Sequence, residues 1–510
     1  GFEQRVVELP IEAGNFVMLA AIKDKIVYQK NPAAGAVASE NVKGCLRYYD
    51  LKEREEKTVI DGINDYSLSA DGKKVIYQSD STYGIVDLAE GKKDGDERIA
   101  TDKMKVWIEP REEWRQIFVE AWRIQRDFFY DPGMHGVDWK ATRDWYGQLL
   151  DYVVDREDLN YVMGEMFGEL NASHAYVGGG DIDWGQTISV GLLGCDYVFD
   201  KEKKAYKISR ICRPGVWEAG VRSPLDQPGV DVKEGDYLLK VNGHDVDITK
   251  DPWAAFQGLA DEVVTLTIGK AENISDTNEI IVKPMSSEQE LRYLAWVEEN
   301  RKKVELATDG KVGYVYVPST GYDGQSELVR QFVPQRTKEG MIIDERFNSG
   351  GQIPDRFIEL MNRPLYNFWT RRDCSTWQTP YVSQVGPKVM LMNGWSGSGG
   401  DAFPYYFKKA GLGPLIGKRT WGGLIGYSDN PKPIDGGFIA APTFAIWSTD
   451  GKWEIEGYGV DPDYDLDNEP HMLAKGCDQQ LDKAIEVILK KLKENPVKIP
   501  SQPAFPDRSK

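Results

Sequence analysis

PKVMLMNGWSGSGGDAFPYYFKKAGLGPLIGKRT, residues 387–420, reads as a strand, a glycine-rich corner, a helix and a second strand. The apolar runs PKVMLMN and PLIGKRT are short and bounded by turn residues, whereas DAFPYYFKKA between them suits a helix. The same alternation extends upstream. KVGYVYVP (311–318) and GMIIDE (340–345) are strand-like, and QSELVRQFV (325–333) and IPDRFIELM (353–361) are helical. A last helix from about Gln479 to Leu492 turns Leu481, Ala484, Ile485, Ile488 and Leu489 toward the same core. Strands alternating with helices imply a mixed or parallel sheet flanked by helices, assigned here to residues 291–495. The Pro-containing tail, 496–510, is expected to be irregular.

Ser398 stands inside that glycine corner, just before a helix expected to begin near Gly400 or Asp401. A serine at a strand exit is presented at a sheet edge, where backbone N–H groups at a helix start converge on an anion. A tight turn needs the same residues, and the spacing is not the G-x-S-x-G of an α/β-hydrolase. A second glycine corner, DERFNSGGQ at 344–352, brings the N–H of Gly350 or Gly351 toward the same place. With the Gly399 N–H it would complete an oxyanion hole; a turn forced by crowding is the other reading.

A hydroxyl nucleophile needs a base, and the chain has four histidines. His174, in NASHAYVGGGD (171–181), sits where a helix ends and a short strand, Ser173 to Val177, is expected. His135 reads as a loop residue and His244 as a turn residue. The residues alone do not choose the group that would orient the imidazole. Lys408 and Lys409, on the helix after Ser398, keep a Ser-Lys pair open as a second enzymatic reading.

Before residue 110 the chain is strand-like, with NFVMLAAI, DKIVYQ, CLRYYDL and TYGIVDL separated by turn residues. KIVYQ at 25–29 recurs as KVIYQ at 74–78, 49 positions on, a spacing that fits a β-propeller blade. Another small β domain is the alternative. After Pro110, Trp114, Ile117, Phe118, Ala121, Ile124 and Phe128 recur at helical spacing, and a second helix starts near Asp155. The stretch 185–290 is again β-rich, and GVDVKEGDYLLKVNGHDV within it resembles a PDZ domain, which receives an extended peptide by strand addition.

With 510 residues, about three to five domains are expected at roughly 100–200 residues each. The formal charge of −18 and the lack of a Lys/Arg cluster argue against a nucleic-acid binder. No apolar run is long enough to insert in a membrane. Cys45, Cys195, Cys212, Cys374 and Cys477 are scattered, with no CxxC pair, so neither a disulfide framework nor a zinc site is expected. The expected compartment is the cytoplasm, with the periplasm as alternative because a chain starting at Gly1 without an initiator Met leaves room for an upstream part.

NASHAYVG, RFNSGG, GSGGDAFPYYFKKAGLGPLIGKRTWGG and IEGYGVDPD occur in an order that resembles the catalytic C-terminal half of the tricorn protease family, relatives of the C-terminal processing serine peptidases. The resemblance implies a multidomain α+β chain: the end of a β-propeller (1–109), a helical domain carrying the histidine (110–184), a PDZ-like domain (185–290) and a sandwich-like mixed α/β peptidase domain (291–495). It further implies a Ser-His-Ser-Glu tetrad, with Ser398 as nucleophile, His174 as general base and acid, Ser173 orienting His174 and Glu456 holding Ser173. Gly399 with Gly350, or alternatively Gly351, would form the oxyanion hole. The family commonly has an acidic residue where this chain has Gly399. Its acidic specificity determinant would correspond to Asp373. The implied activity is a serine endopeptidase cutting oligopeptides or unfolded segments without metal or cofactor, in a homo-oligomer, with a hexamer as the family's size. A noncatalytic peptide-binding scaffold built on the PDZ-like domain is the alternative from a different class.

Overall fold

A computed structural model describes residues 6–32, 43–218, 220–352 and 354–509. The chain divides into two compact units, Gly1–Glu109 and Pro110–Lys510.

In the first unit, β1 (Asn15–Ile22), β2 (Lys25–Asn31), β3 (Gly44–Asp50) and β4 (Glu55–Ile63) form one antiparallel meander. β5 (Asp65–Leu68), β6 (Lys74–Ser79), β7 (Thr82–Asp87) and β8 (Arg98–Ile99) form another. KIVYQ lies in β2 and KVIYQ in β6, so the repeated motif is the second strand of each sheet. The alternation that identified these strands buries one face: Val27, Leu46, Val59, Ile60, Val75, Tyr77 and Val86 share one core.

The second unit opens with α1 (Pro110–Phe128), α2 (Trp139–Gly147) and α3 (Arg156–Gly168). The sequence reading found α1 and α3 and passed over α2, whose single fully buried residue, Trp139, makes no periodic stripe. Trp139 and Trp122 each donate the indole N–H to the other's carbonyl, at 3.0 and 2.7 Å, which satisfies two buried donors at once. Asp155 caps α3 by accepting the Asp158 N–H at 2.8 Å. Past α3 the chain enters β9 (Tyr176–Gly178), which pairs antiparallel with Phe438–Ala440. That pairing, the buried Arg156–Asp435 ion pair and the bond from Gln125 Nε2 to the Ala440 carbonyl carry the end of the helical segment to the later α/β part.

The PDZ-like sheet follows, with β10 (Cys195–Asp200), β11 (Ala205–Ile211), β12 (Tyr237–Val241), β13 (His244–Asp245), β14 (Val264–Gly269) and β15 (Thr277–Val282). Its order is β10-β11-β12-β14-β15, with β13 paired to β12, so β10 is an edge. A helix the sequence reading did not single out, α4 (Gln289–Ala307), leads into the α/β domain. There come β16 (Val312–Tyr316), α5 (Tyr322–Gln335), β17 (Gly340–Asp344), α6 (Pro354–Met361), β18 (Asn367–Trp369), β19 (Trp377–Thr379), β20 (Lys388–Met392) and α7 (Gly399–Lys409). β21 (Leu415–Gly417), β22 (Gly426–Tyr427), β23 (Phe438–Ala440), β24 (Pro442–Phe444), β25 (Tyr464–Asp465), α8 (Pro470–Leu473) and α9 (Gln479–Glu494) complete it.

The central sheet, β16-β17-β20-β21-β25, is parallel throughout. β16, β17 and β20 are buried at every residue, which is why they read as unbroken apolar runs. Leu328, Phe332, Phe357, Phe403 and Phe407 of α5, α6 and α7 pack on one face; Val304, Leu481, Ala484 and Ile488 of α4 and α9 pack on the other. Arg346, just past β17, is buried between Asp344 (2.6 Å) and Asp478 (2.9 Å), the residue that caps α9. Removing one partner of such a pair costs about 3–5 kcal/mol. Among the described residues no helix is long and apolar enough to cross a membrane.

Candidate active site

Parallel strands end together, so loops leaving β16, β17 and β20 gather at one edge of the sheet. Ser398 leaves β20 and caps α7 with φ 57°, in the left-handed region that a residue with a side chain rarely occupies. Asp401, three positions on and fully buried, holds it there. Its carboxylate accepts the N–H of Ser398 at 2.8 Å, Gly422 at 2.7 Å and Gly423 at 3.2 Å. Burial pushes the Asp401 carboxyl above its ordinary pKa, and the N–H donors and the Thr420 hydroxyl pull against that. The sequence reading did not weigh Asp401; its signal was the S-x-x-D spacing of a capping box.

The two glycine corners touch. A Cβ on Gly350, which has φ 89°, would lie 2.9 Å from both the Gly397 carbonyl and the Ser398 Cβ. A Cβ on Gly399 would lie 1.9 Å from Thr320 Oγ1 and 2.7 Å from the Gly351 nitrogen. Thr320 leaves no room for a side chain at this position. The Gly350 N–H donates to Asn348 Oδ1 at 2.9 Å, whereas among the described residues the N–H groups of Gly351 and Gly399 have no partner. Of the two alternatives for a second anion-binding donor, the free one is Gly351.

His174 comes from the other direction. The expected strand from Ser173 starts later, at Tyr176, and His174 itself has φ 57°. A regular strand would point Ser173 and His174 to opposite faces; the left-handed turn instead lets His174 Nδ1 meet Ser173 Oγ at 3.0 Å. Ser173 Oγ donates to Glu456 Oε2 at 3.1 Å. A hydroxyl has one proton, so Ser173 Oγ accepts from His174 Nδ1–H, and Nε2 carries the free lone pair. Glu456 also accepts the N–H of Ser173 (2.8 Å), Leu424 (2.8 Å) and Ile425 (3.0 Å). Ile455 beside it has φ 78°, a strained value for a β-branched residue.

His174 is packed among Tyr176, Trp421 and Tyr427, with ring centroids 5.6–5.8 Å away. Burial pushes its pKa below the ordinary histidine value, and the charge of Glu456 works in the opposite direction. The imidazole is therefore neutral near pH 7. These three aromatics come from separate strands and loops, and no local pattern in the sequence pointed to them.

His174, Ser398, Gly351 and Gly399 line one cleft of about 1660 Å3. Among the described residues no hydrogen bond joins Ser398 Oγ to His174; bonds of this kind often tighten only when a substrate is bound. Trp395, Tyr406, Phe444 and Trp447 give the cleft apolar walls, and its carboxylates are Asp355 and Asp429. Asp373, the expected specificity residue, is not among these lining residues. It is exposed on the turn between β18 and β19. Lys408 is paired with Asp463 at 2.8 Å, and both Lys408 and Lys409 line a separate hollow with Tyr405 and Trp453. Neither reaches Ser398 as a base. His135 bonds the Leu170 carbonyl and Tyr130, and His244 is exposed.

Residues 110–168 match the tricorn protease C1 domain, 191–287 the tricorn protease PDZ domain and 311–466 peptidase family S41. A putative tricorn-like protease C-terminal subunit of Sulfurisphaera tokodaii is 35% identical over 503 residues, covering 97% of this chain and 58% of that protein. Tricorn protease homolog 1 of Streptomyces coelicolor is 34% identical over 520 residues, covering 99% of this chain and 48% of that protein. A crystal structure of the tricorn protease superposes with a TM-score of 0.88 at 28% identity, over 95% of this chain and 47% of that one. The chain spans about half the length of the curated relatives it matches.

Proposed function

The chain belongs to the tricorn protease family, and from that premise we propose that it is a serine peptidase cutting oligopeptides or unfolded segments through an acyl-enzyme. The observation that carries this reading is the bonded series His174–Ser173–Glu456 opening on the cleft that holds Ser398 and two unpaired N–H groups.

Ser398 Oγ attacks the peptide carbonyl while His174 Nε2 takes its proton. The imidazolium Nδ1–H still donates to Ser173 Oγ, whose own O–H still donates to Glu456, so the carboxylate stabilises the new charge through one hydroxyl. The oxygen of the tetrahedral intermediate binds the N–H groups of Gly351 and Gly399, the latter at the N-terminus of α7, where the helix dipole adds to the attraction. His174 then protonates the leaving amine, and a water that it deprotonates releases the acyl group. The aromatic walls favour peptides with apolar stretches, and residues of β22 and β24 line the cleft.

Two further parts belong to the same proposal. The paired four-stranded meanders, with one motif repeated at matching strands, support the reading of the first unit as the end of a β-propeller. Assembly into a homo-oligomer, with a hexamer as its size, rests on the family resemblance.

The test is cleavage of a peptide library, products located by mass spectrometry, by the unsubstituted chain and by Ser398→Ala, with labelling by a serine-directed phosphonate. Products and label that both vanish with the serine are expected. Cleavage that persists in Ser398→Ala would end the reading, and peptide binding without turnover in either form would leave the PDZ-based scaffold in its place.

A further inference from the structure

PDZ modules add an extended peptide to a sheet edge and capture its terminal carboxylate in a nest of backbone N–H groups. In this chain the edge strand is β10, and the loop before it is Gly191-Leu192-Leu193-Gly194, with Gly194 at φ 63°. Three of the four N–H groups of that nest are already bonded. The Gly191 N–H donates to the Phe256 carbonyl at 2.9 Å and the Leu192 N–H to the Met285 carbonyl at 2.8 Å. The Gly194 N–H donates to Glu288 Oε2 at 2.9 Å.

Glu288 is the N-cap residue of α4, yet its side chain gives that helix no capping bond. Its other oxygen accepts from Arg292 Nε at 2.6 Å, and Arg292 reaches on to the Cys195 carbonyl (3.0 Å) and Asp196 (2.7 Å) of β10. Leu291, one turn after Glu288, is fully buried against Gly194, where a Cβ would stand 2.4 Å from the leucine methyl. The first turn of α4 thus places a carboxylate on the loop, an apolar side chain beside it and a guanidinium on the strand edge.

We infer that Glu288 occupies the carboxylate nest of the PDZ-like module from within the chain, so that the module takes a peptide C-terminus only when the first turn of α4 releases it. The helix α4 also packs on β16, so that release would be felt in the sheet from which the Ser398 and Gly351 loops depart. The inference does not rest on the chemistry of Ser398.

The experiment uses the full chain carrying Ser398→Ala, so that no peptide is cut. Two pools of short fluorescein-labelled peptides with randomised apolar C-termini, one ending in the free acid and the other in the amide, are titrated by fluorescence anisotropy. With Glu288 intact, the two pools bind alike. With Glu288→Ala added, the acid pool binds roughly ten- to a hundredfold tighter than the amide, the value of a hydrogen bond to a charged group. A preference for the acid while Glu288 is present overturns the inference. So does equal binding of both pools in a Glu288→Ala chain that melts cooperatively. If that variant does not fold, Glu288→Gln, which keeps the side-chain length and one weak acceptor, is judged on the same ratio.

Discussion

Replacing Glu456 by Gln changes one oxygen of the proposed relay to an amide nitrogen and leaves its volume alone. In the structure Oε1 accepts one donor, the Ser173 N–H, and Oε2 accepts three: Ser173 Oγ–H and the N–H groups of Leu424 and Ile425. An amide has a single acceptor oxygen. Turned to keep three of the four bonds, it sets its NH2 against the Ser173 N–H and faces His174 with no charge. A hydrogen bond to a charged group is worth about 1.5–3 kcal/mol and a neutral one about half of that. Losing one bond and the charge on the others raises the barrier by about 2–3 kcal/mol, or roughly thirty- to a hundred-and-sixtyfold in kcat. Glu456 is not among the residues lining the Ser398 cleft, so KM should stay within about twofold. The assay is steady-state hydrolysis of a fluorogenic peptide, with sites counted by phosphonate titration and folding checked by thermal melting. A well-folded Glu456→Gln chain that turns over at the parent rate would show that the carboxylate does not act through Ser173.

His174 must be neutral to act as a base, and its pKa is depressed, so kcat/KM should be full near pH 7 and fall as pH drops through a midpoint below about 6.5. Tyr427→Ala, which opens one side of the ring, should move that midpoint upward; a midpoint at or above 6.5 in the parent would contradict the burial argument. Gly399→Ala should lower kcat by about 10²–10³, the cost of one oxyanion donor. Its Cβ would meet Thr320 and push the Gly351 backbone from position, and undiminished activity would mean that the two corners are not the anion site.

The α/β domain was legible because strands buried on both faces leave uninterrupted apolar runs, as in GMIID and KVMLM. α1 was legible for the opposite reason, a periodic stripe against polar residues. α2 and α4 fell between these cases. The nine-residue α2 buries only Trp139, and α4 scatters its buried positions, including Glu298 and Asn300, around the helix. Within the site, Ser398 and His174 stood out through their glycine neighbours, which mark where backbone must turn. Glu456 did not, since one glutamate among many differs only in the four donors that meet it in three dimensions. The choice between Gly350 and Gly351 was equally out of reach, because it depends on where Asn348 Oδ1 points. Asp373 is a similar case: its place in the order of motifs does not tell whether it lines the cleft, and it is not among the cleft's lining residues.

Ser173 and Glu456 meet across 283 positions, and Ser398 lies between them in the order of synthesis. A polypeptide emerging from the ribosome displays its serine and its imidazole well before the carboxylate that joins them is made, and contacts so distant form late in folding. The chain thus passes through its own biosynthesis with this constellation incomplete, beside the unfolded segments that are its proposed substrates. Any natural or engineered version divided between residues 173 and 456 would need both pieces to associate before the constellation existed at all.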